Sequence, residues 1–77
     1  MRTIDDREYR AAERAELAAF GQRIKGAGIG FSALARATHL SYKTISRAAR
    51  GQAVRSDAMI RIDYFLREYI RQRNKAL

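Results

Sequence analysis

The chain has 77 residues and contains no cysteine, no proline and no tryptophan. Without cysteine it can form neither a disulfide framework nor a thiolate metal site. Without proline no helical segment is interrupted, and strand-like alternation of apolar and polar residues is also absent. No apolar run is long enough to span a bilayer or to form the core of a signal peptide, so we expect a soluble, cytoplasmic protein.

Large apolar side chains are also scarce. Alanine, the smallest apolar residue with a side chain, accounts for 14 of the apolar positions. A core with so few large side chains suits helices that pack closely on alanine. A chain of this length has room for one small core, and we expect a single domain over residues 1–77.

Acidic side chains are missing from the middle of the chain. Residues 17–56 carry seven lysines and arginines and no acid, whereas residues 1–16 carry five acids against four arginines. The net charge of +8 is therefore concentrated in one segment. Such a segment is typical of a nucleic-acid-binding protein, since a basic face kept only for solubility would not require every acid to be absent.

Within this basic segment, residues 30–51 predict two short helices joined by a tight corner. The first helix runs from about Phe31 to Thr38, and the corner follows at His39-Leu40, with His39 near a positive φ. Ser41 is suited to cap the second helix through its hydroxyl, and Gly51 supplies the left-handed residue that ends it. This is the layout of a helix-turn-helix, whose second helix enters the major groove of DNA.

The same segment resembles the helix-turn-helix of the lambda-repressor-like (Cro/XRE) family. The resemblance rests on Leu34-Ala35, Leu40-Ser41, Thr44-Ile45-Ser46-Arg47 and Arg50-Gly51, and it continues to Met59, Ile62 and Leu66, over residues 17–67. It implies an all-α fold of four to five helices around the helix-turn-helix, with an N-terminal extension of helix 1. The chain departs from the family at His39, where glycine is usual, at Phe31, where a phosphate-binding glutamine is frequent, and at Ala48, which is usually larger.

The second helix of this motif carries the candidate DNA contacts. Ile45 and Ala48 lie on its inner side, so helical geometry directs the basic and hydroxyl side chains outward. The resemblance implies that base edges are read by Tyr42, Lys43, Ser46 and Arg47. We expect phosphate contacts from the start of the first helix, from the cap of the second and from nearby cations. These residues are Phe31, Ser32, Arg36, Ser41, Thr44, Arg50, Gln52 and Arg55.

The flanking segments predict one helix on each side of the motif. Leu17, Phe20, Ile24 and Ala27 recur at helical spacing, so the first helix begins near Glu13. Residues 1–12 are then an extra segment, either a helical extension with Thr3 as N-cap or a loosely ordered arm. After the motif, Ser56 is the expected N-cap of a last helix over residues 56–71, and residues 72–77 form a basic tail.

The last helix carries more apolar side chains than one side of a small core needs. Met59, Ile62, Leu66 and Tyr69 share one face, with Ile60 beside them. The surplus indicates either a broad core face or a dimer contact. For the dimer contact the candidates are Tyr64, Phe65, Tyr69 and Ile70.

Catalytic and cofactor chemistry has no support in the sequence. Gly28 and Gly30 with Ala33 match a relaxed dinucleotide-binding pattern, but a helix precedes them instead of a strand. His39 is the only histidine and has no clustered carboxylate nearby, so we expect no metal site, no cofactor and no enzymatic activity.

These features predict a sequence-specific regulator that binds double-stranded DNA, as a dimeric repressor on a palindromic operator. We expect no small-molecule effector, since the chain offers no second domain to sense one. Phage Cro-like repressors, restriction–modification controllers and autoregulators of mobile elements have this size, and activation stays open beside repression. The alternative is an antitoxin-like interaction module that neutralises a partner protein and binds DNA secondarily.

Overall fold

The computed structural model describes the backbone of residues 6–75 and the side chains of residues 13–75. This part of the chain is all-helical and contains no strand, which confirms the predicted all-α class. It has four helices, α1 (Asp6–Gly26), α2 (Phe31–Thr38), α3 (Tyr42–Ala49) and α4 (Ser56–Lys75). Across residues 6–75 no helix combines the length and the apolar character needed to cross a membrane.

α1 is longer than the helix predicted from its apolar stripe. It begins at Asp6 instead of near Glu13, so the part of residues 1–12 that is described continues the helix. Of the two alternatives for this segment, the helical extension is the one found from Asp6 onward. The proposed cap at Thr3 lies outside the described residues. The extension has a local cause, because strong helix formers follow one another there without a glycine or a proline.

The corner between α2 and α3 has the predicted geometry. His39 ends α2 with φ 57° and ψ 39°, the left-handed conformation in which a chain can turn sharply after a helix. The N–H of Leu40 then donates to the carbonyl of Ala35 at 2.9 Å, which closes the end of α2. Ser41 is extended, and its Oγ accepts the N–H of Thr44 at 3.1 Å, so it caps α3 as predicted.

α3 also ends as its sequence predicts. Gly51 adopts φ 76°, a left-handed conformation that costs glycine little. The N–H of Gly51 donates to the carbonyl of Ala48 at 3.1 Å, and that of Gln52 donates to the carbonyl of Arg47 at 3.0 Å. This pair of bonds satisfies the carbonyls of Arg47 and Ala48 in the last turn of the helix.

The core lies among all four helices and is closed by small residues. Five large side chains are fully buried in it, namely Ile24, Leu34, Ile45, Ile62 and Leu66. Ala35, Ala48 and Ala49 fill the space where α2 and α3 approach their neighbours. Of the predicted α1 stripe, Phe20, Ile24 and Ala27 are buried, whereas Leu17 is only half-buried.

α1 and α3 meet at a glycine. Gly21 is buried in the interior of α1, and a Cβ built on it would lie 2.7 Å from the carbonyl oxygen of Ala49 and 3.0 Å from that of Ala48. Nothing larger than hydrogen fits between these backbones. Gly21 therefore sets how closely α3 lies against α1.

α4 begins at Ser56, but the predicted role of Ser56 as its N-cap is wrong. The N–H of Met59 donates to the carbonyl of Arg55 at 3.1 Å, so Ser56 is the first residue of the helix and not its cap. The side of α4 that faces the core carries Ala58, Ile62 and Leu66.

α4 also extends beyond its predicted end. It ends at Lys75 instead of near Arg71, so residues 72–75 of the expected basic tail are helical. Arg73 ties this end of α4 to the loop after α1, because its Nη1 donates to the carbonyl of Ala27 at 3.3 Å.

Candidate nucleic-acid interface

The outer face of α3 is basic and open to solvent. Ile45, Ala48 and Ala49 are buried and fix the rotation of the helix. Lys43 and Arg47 are consequently exposed on the opposite side, four residues apart, and Ser46 is half-buried beside them. The structure thus brings together the residues that the sequence predicts as base readers.

The fourth of these residues, Tyr42, stands at the start of α3 against an aromatic neighbour. Its ring is tilted 56° to that of Phe31, with the ring centroids 6.0 Å apart. Phe31 is half-buried and packs on the core, while Tyr42 is 57% exposed. The pair joins the first turns of α2 and α3 and limits the directions in which Tyr42 can point. Tilted pairs of this kind are a favourable arrangement of aromatic rings.

The first turns of α2 and α3 differ in how their N–H groups are satisfied. At α3 the hydroxyls of Ser41 and Thr44 lie 2.9 Å apart, and Ser41 also caps the helix. At α2 the cap residue is Gly30, which offers no side-chain acceptor. The free N–H groups at the start of α2, together with the exposed hydroxyl of Ser32, can therefore hold an anion.

Two cations of the basic segment are partly neutralised by acids from α4. Arg23 lies 2.9 Å from Asp63, and Arg55 lies 3.4 Å from Asp57. Within the described residues no acid pairs with Lys43, Arg47 or the other basic side chains of residues 17–56. Lys43 and Arg47 of α3 therefore carry uncompensated charge, and Arg23 contributes less to the basic surface than its sequence position indicates.

Of the residues predicted to contact phosphate, Arg36, Arg50, Gln52 and Arg55 are exposed. Nε of Arg50 donates to the carbonyl of Ser46 at 3.3 Å, so this side chain lies along its own helix. Arg47 and Arg55 line a shallow groove together with the acid Asp57, and its apolar lining includes Leu40, Val54 and Ala58. The two cations of this groove can contact phosphates, and Asp57 offsets part of their charge.

Sequence reasoning missed two residues that shape this surface. Gly21 positions α3, and the available signal was a glycine inside a helical pattern, on the same face as Leu17 and Ile24. Asp57 lies in the first turn of α4 and pairs with Arg55, and the available signal was an acid two residues after an arginine at a predicted helix start.

Comparison of the chain with models of protein families, with curated proteins and with solved structures found no significant match.

Proposed function

We propose that the chain is a sequence-specific regulator that binds double-stranded DNA, with α2 and α3 forming a helix-turn-helix of the lambda-repressor-like kind. The observation that carries the proposal is the outer face of α3. Lys43 and Arg47 are exposed there in a segment without acids, and Tyr42 stands at the tip of the helix. Arginine and lysine donate two hydrogen bonds to O6 and N7 of guanine, which makes such a face suited to the major groove.

In this proposal one group of residues contacts bases and a second group contacts phosphates. Tyr42, Lys43, Ser46 and Arg47 contact base edges. The N–H groups at the start of α2, the hydroxyls of Ser32, Ser41 and Thr44, and the side chains of Arg36, Arg50, Gln52 and Arg55 contact phosphates. Phosphate contacts fix the register of the protein on the duplex and carry no sequence information.

The protein acts as a homodimer that occupies a palindromic operator and thereby represses transcription, in the manner of phage or mobile-element autoregulators. Two copies related by a twofold axis would place their α3 helices about one turn of DNA apart, roughly 34 Å. Occupying a promoter requires no catalytic residue, metal or cofactor. The amount of protein then sets the degree of repression.

The test begins with a selection of operators from random duplexes. Arg47→Ala is then titrated against the selected operator and its single-base variants. We expect a loss of about 1–3 kcal/mol per base contact and relaxed discrimination at one base pair of each half-site.

Arg55→Ala is the matched control, because Arg55 is a cation of the same type in the loop beyond α3. It should weaken binding to all duplexes alike and make the salt dependence shallower by about one unit for each phosphate that is no longer neutralised. If both variants weaken every duplex equally, α3 contributes only electrostatic attraction to DNA. The assignment of base contacts to its side chains is then wrong.

The antitoxin-like alternative rests on a different observation, the apolar side chains exposed on α4. Ile60 and Tyr64 are each 68% exposed, and Ile70 is also exposed. A protein that normally covers this face with a partner should bind a hydrophobic dye or aggregate when purified alone. A stable homodimer should do neither.

A further inference from the structure

The apolar exposure on α4 is concentrated on one line of the helix. Ile62 and Leu66 are fully buried, and Ile60 and Tyr64 lie four residues apart on the opposite side. Large apolar side chains this exposed and adjacent to each other indicate a surface that another molecule covers.

Charged residues extend this line in both directions. Asp57 lies three residues before Ile60, and Arg67 lies three residues after Tyr64, so all four share the outer face of α4. We call Asp57, Ile60, Tyr64 and Arg67 the α4 stripe. Its order is acid, apolar, apolar, base, and the side chains at both ends are mostly exposed.

We propose that the α4 stripe binds the α4 stripe of a second copy of this chain, with the two helices antiparallel. A twofold axis between Ile60 and Tyr64 places each Ile60 against the partner's Tyr64. The same axis places each Asp57 against the partner's Arg67, so both ends of the contact pair opposite charges. A parallel arrangement would instead oppose acid to acid and base to base. The charge pattern therefore selects an antiparallel second copy.

The charged ends of the stripe are available for this exchange. Asp57 pairs with Arg55, and Arg67 pairs with Asp63 at 3.2 Å, but these are solvent-exposed pairs of small energetic value. When Arg67 leaves, Asp63 keeps its other partner, Arg23, at 2.9 Å. Asp63 therefore keeps a cationic partner in the dimer.

The neighbouring surface fits the same occupant. A shallow hollow lies on each side of the stripe, one next to Thr38 and Phe65 and the other next to Phe20 and Met59. Both hollows are mainly apolar and offer space to the side chains of an apposed helix.

Two of the four dimer contacts predicted from the sequence lie outside the α4 stripe and are partly covered by the chain itself. Phe65 packs against the core and stacks on Tyr69, with the ring centroids 6.0 Å apart, and both are half-buried. The contact proposed here keeps Tyr64 and replaces the others with Ile60 and the two charged ends.

The first test measures self-association without DNA, by sedimentation equilibrium over a micromolar concentration series. The wild-type chain should be a dimer. Ile60→Ser should raise the dimer dissociation constant by about tenfold or more, because it removes one apolar side chain from each half of the contact. Ile70→Ser is the matched control, since Ile70 lies on the same helix outside the stripe, and it should leave the constant unchanged within about twofold.

The second test uses charge reversal to determine the orientation. Asp57→Arg should weaken the dimer, because two arginines then oppose each other at each end, and Arg67→Asp should do the same with two acids. The double variant Asp57→Arg with Arg67→Asp should restore the wild-type constant within about threefold. All of these positions are exposed, and a circular dichroism melt checks that each variant is folded.

Three results would overturn the inference. The first is a monomeric wild-type chain, which would mean that a different partner covers the stripe. The second is an Ile60→Ser variant that associates like wild type. The third is a double charge reversal that fails to restore the dimer. The inference specifies the homodimer of the proposed function, but it is measured without DNA. A dimer that uses the stripe and ignores every duplex would refute the regulator alone, whereas a DNA-binding dimer insensitive to Ile60 would refute the stripe alone.

Discussion

Gly21→Ala should destabilise the protein even though alanine is the better helix former. In a helix interior the exchange favours alanine by about 0.8–1.0 kcal/mol. Here the added methyl would lie 2.7 Å from the carbonyl oxygen of Ala49, closer than real Cβ contacts. These oxygens belong to the backbone of α3 and cannot rotate away, so α1 and α3 must separate. Overpacking at such a contact costs about 1–3 kcal/mol, and we place this case at the upper end.

The net effect after the helix-propensity gain is a loss of about 1–2 kcal/mol. For a chain of this size that corresponds to a decrease in Tm of about 5–15 °C in a thermal melt followed by circular dichroism. Gly26→Ala is the matched control, because Gly26 lies in the same helix with no atom within 4 Å of the added Cβ. It should leave the Tm unchanged or raise it by a few degrees. A Gly21→Ala variant that melts at or above the wild-type temperature would refute the close approach of α1 and α3.

Three further predictions concern the corner and the DNA contacts. His39→Gly should raise the free energy of unfolding by about 0.5–1 kcal/mol, because glycine adopts a φ of 57° without a Cβ clash. A urea titration in which this variant is less stable than wild type would contradict that reasoning. Ser41→Ala should lower the same quantity by about 1 kcal/mol, since the N–H of Thr44 loses its acceptor, and Ser41→Gly should lose only a few tenths. If a dimer neutralises about six to ten phosphates, the logarithm of DNA affinity should fall against that of salt concentration with a slope of roughly −5 to −9. A slope near zero would show that the basic segment does not contact DNA phosphates.

Much of the candidate site could be predicted because its signals are local. The αL residue at His39, the cap at Ser41 and the left-handed Gly51 each depend on hydrogen bonds within five residues along the chain. The inward positions of Ile45 and Ala48 follow from helical spacing alone, and they fix the outward direction of Lys43 and Arg47. Hydrogen bonds between residues close in sequence and the helical spacing of apolar residues can both be recognised from the sequence alone.

Other features depended on which elements become neighbours. The sequence shows a broad apolar α4, but only its packing against α2 and α1 turns Phe65 inward and leaves Ile60 and Tyr64 exposed. The pairing of Arg23 with Asp63 joins residues forty positions apart, and it removes a cation that the sequence assigns to the basic surface.

By itself, the sequence determined the helices of residues 31–49, their caps and the basic charge of the segment around them. Tertiary structure alone decided the role of Gly21, the pairing of Arg23 with Asp63 and the side of α4 that stays uncovered. The physical reason is the range of the interactions. Capping and helical periodicity act over three or four residues, whereas a close backbone approach or an ion pair between helices depends on the whole packing arrangement.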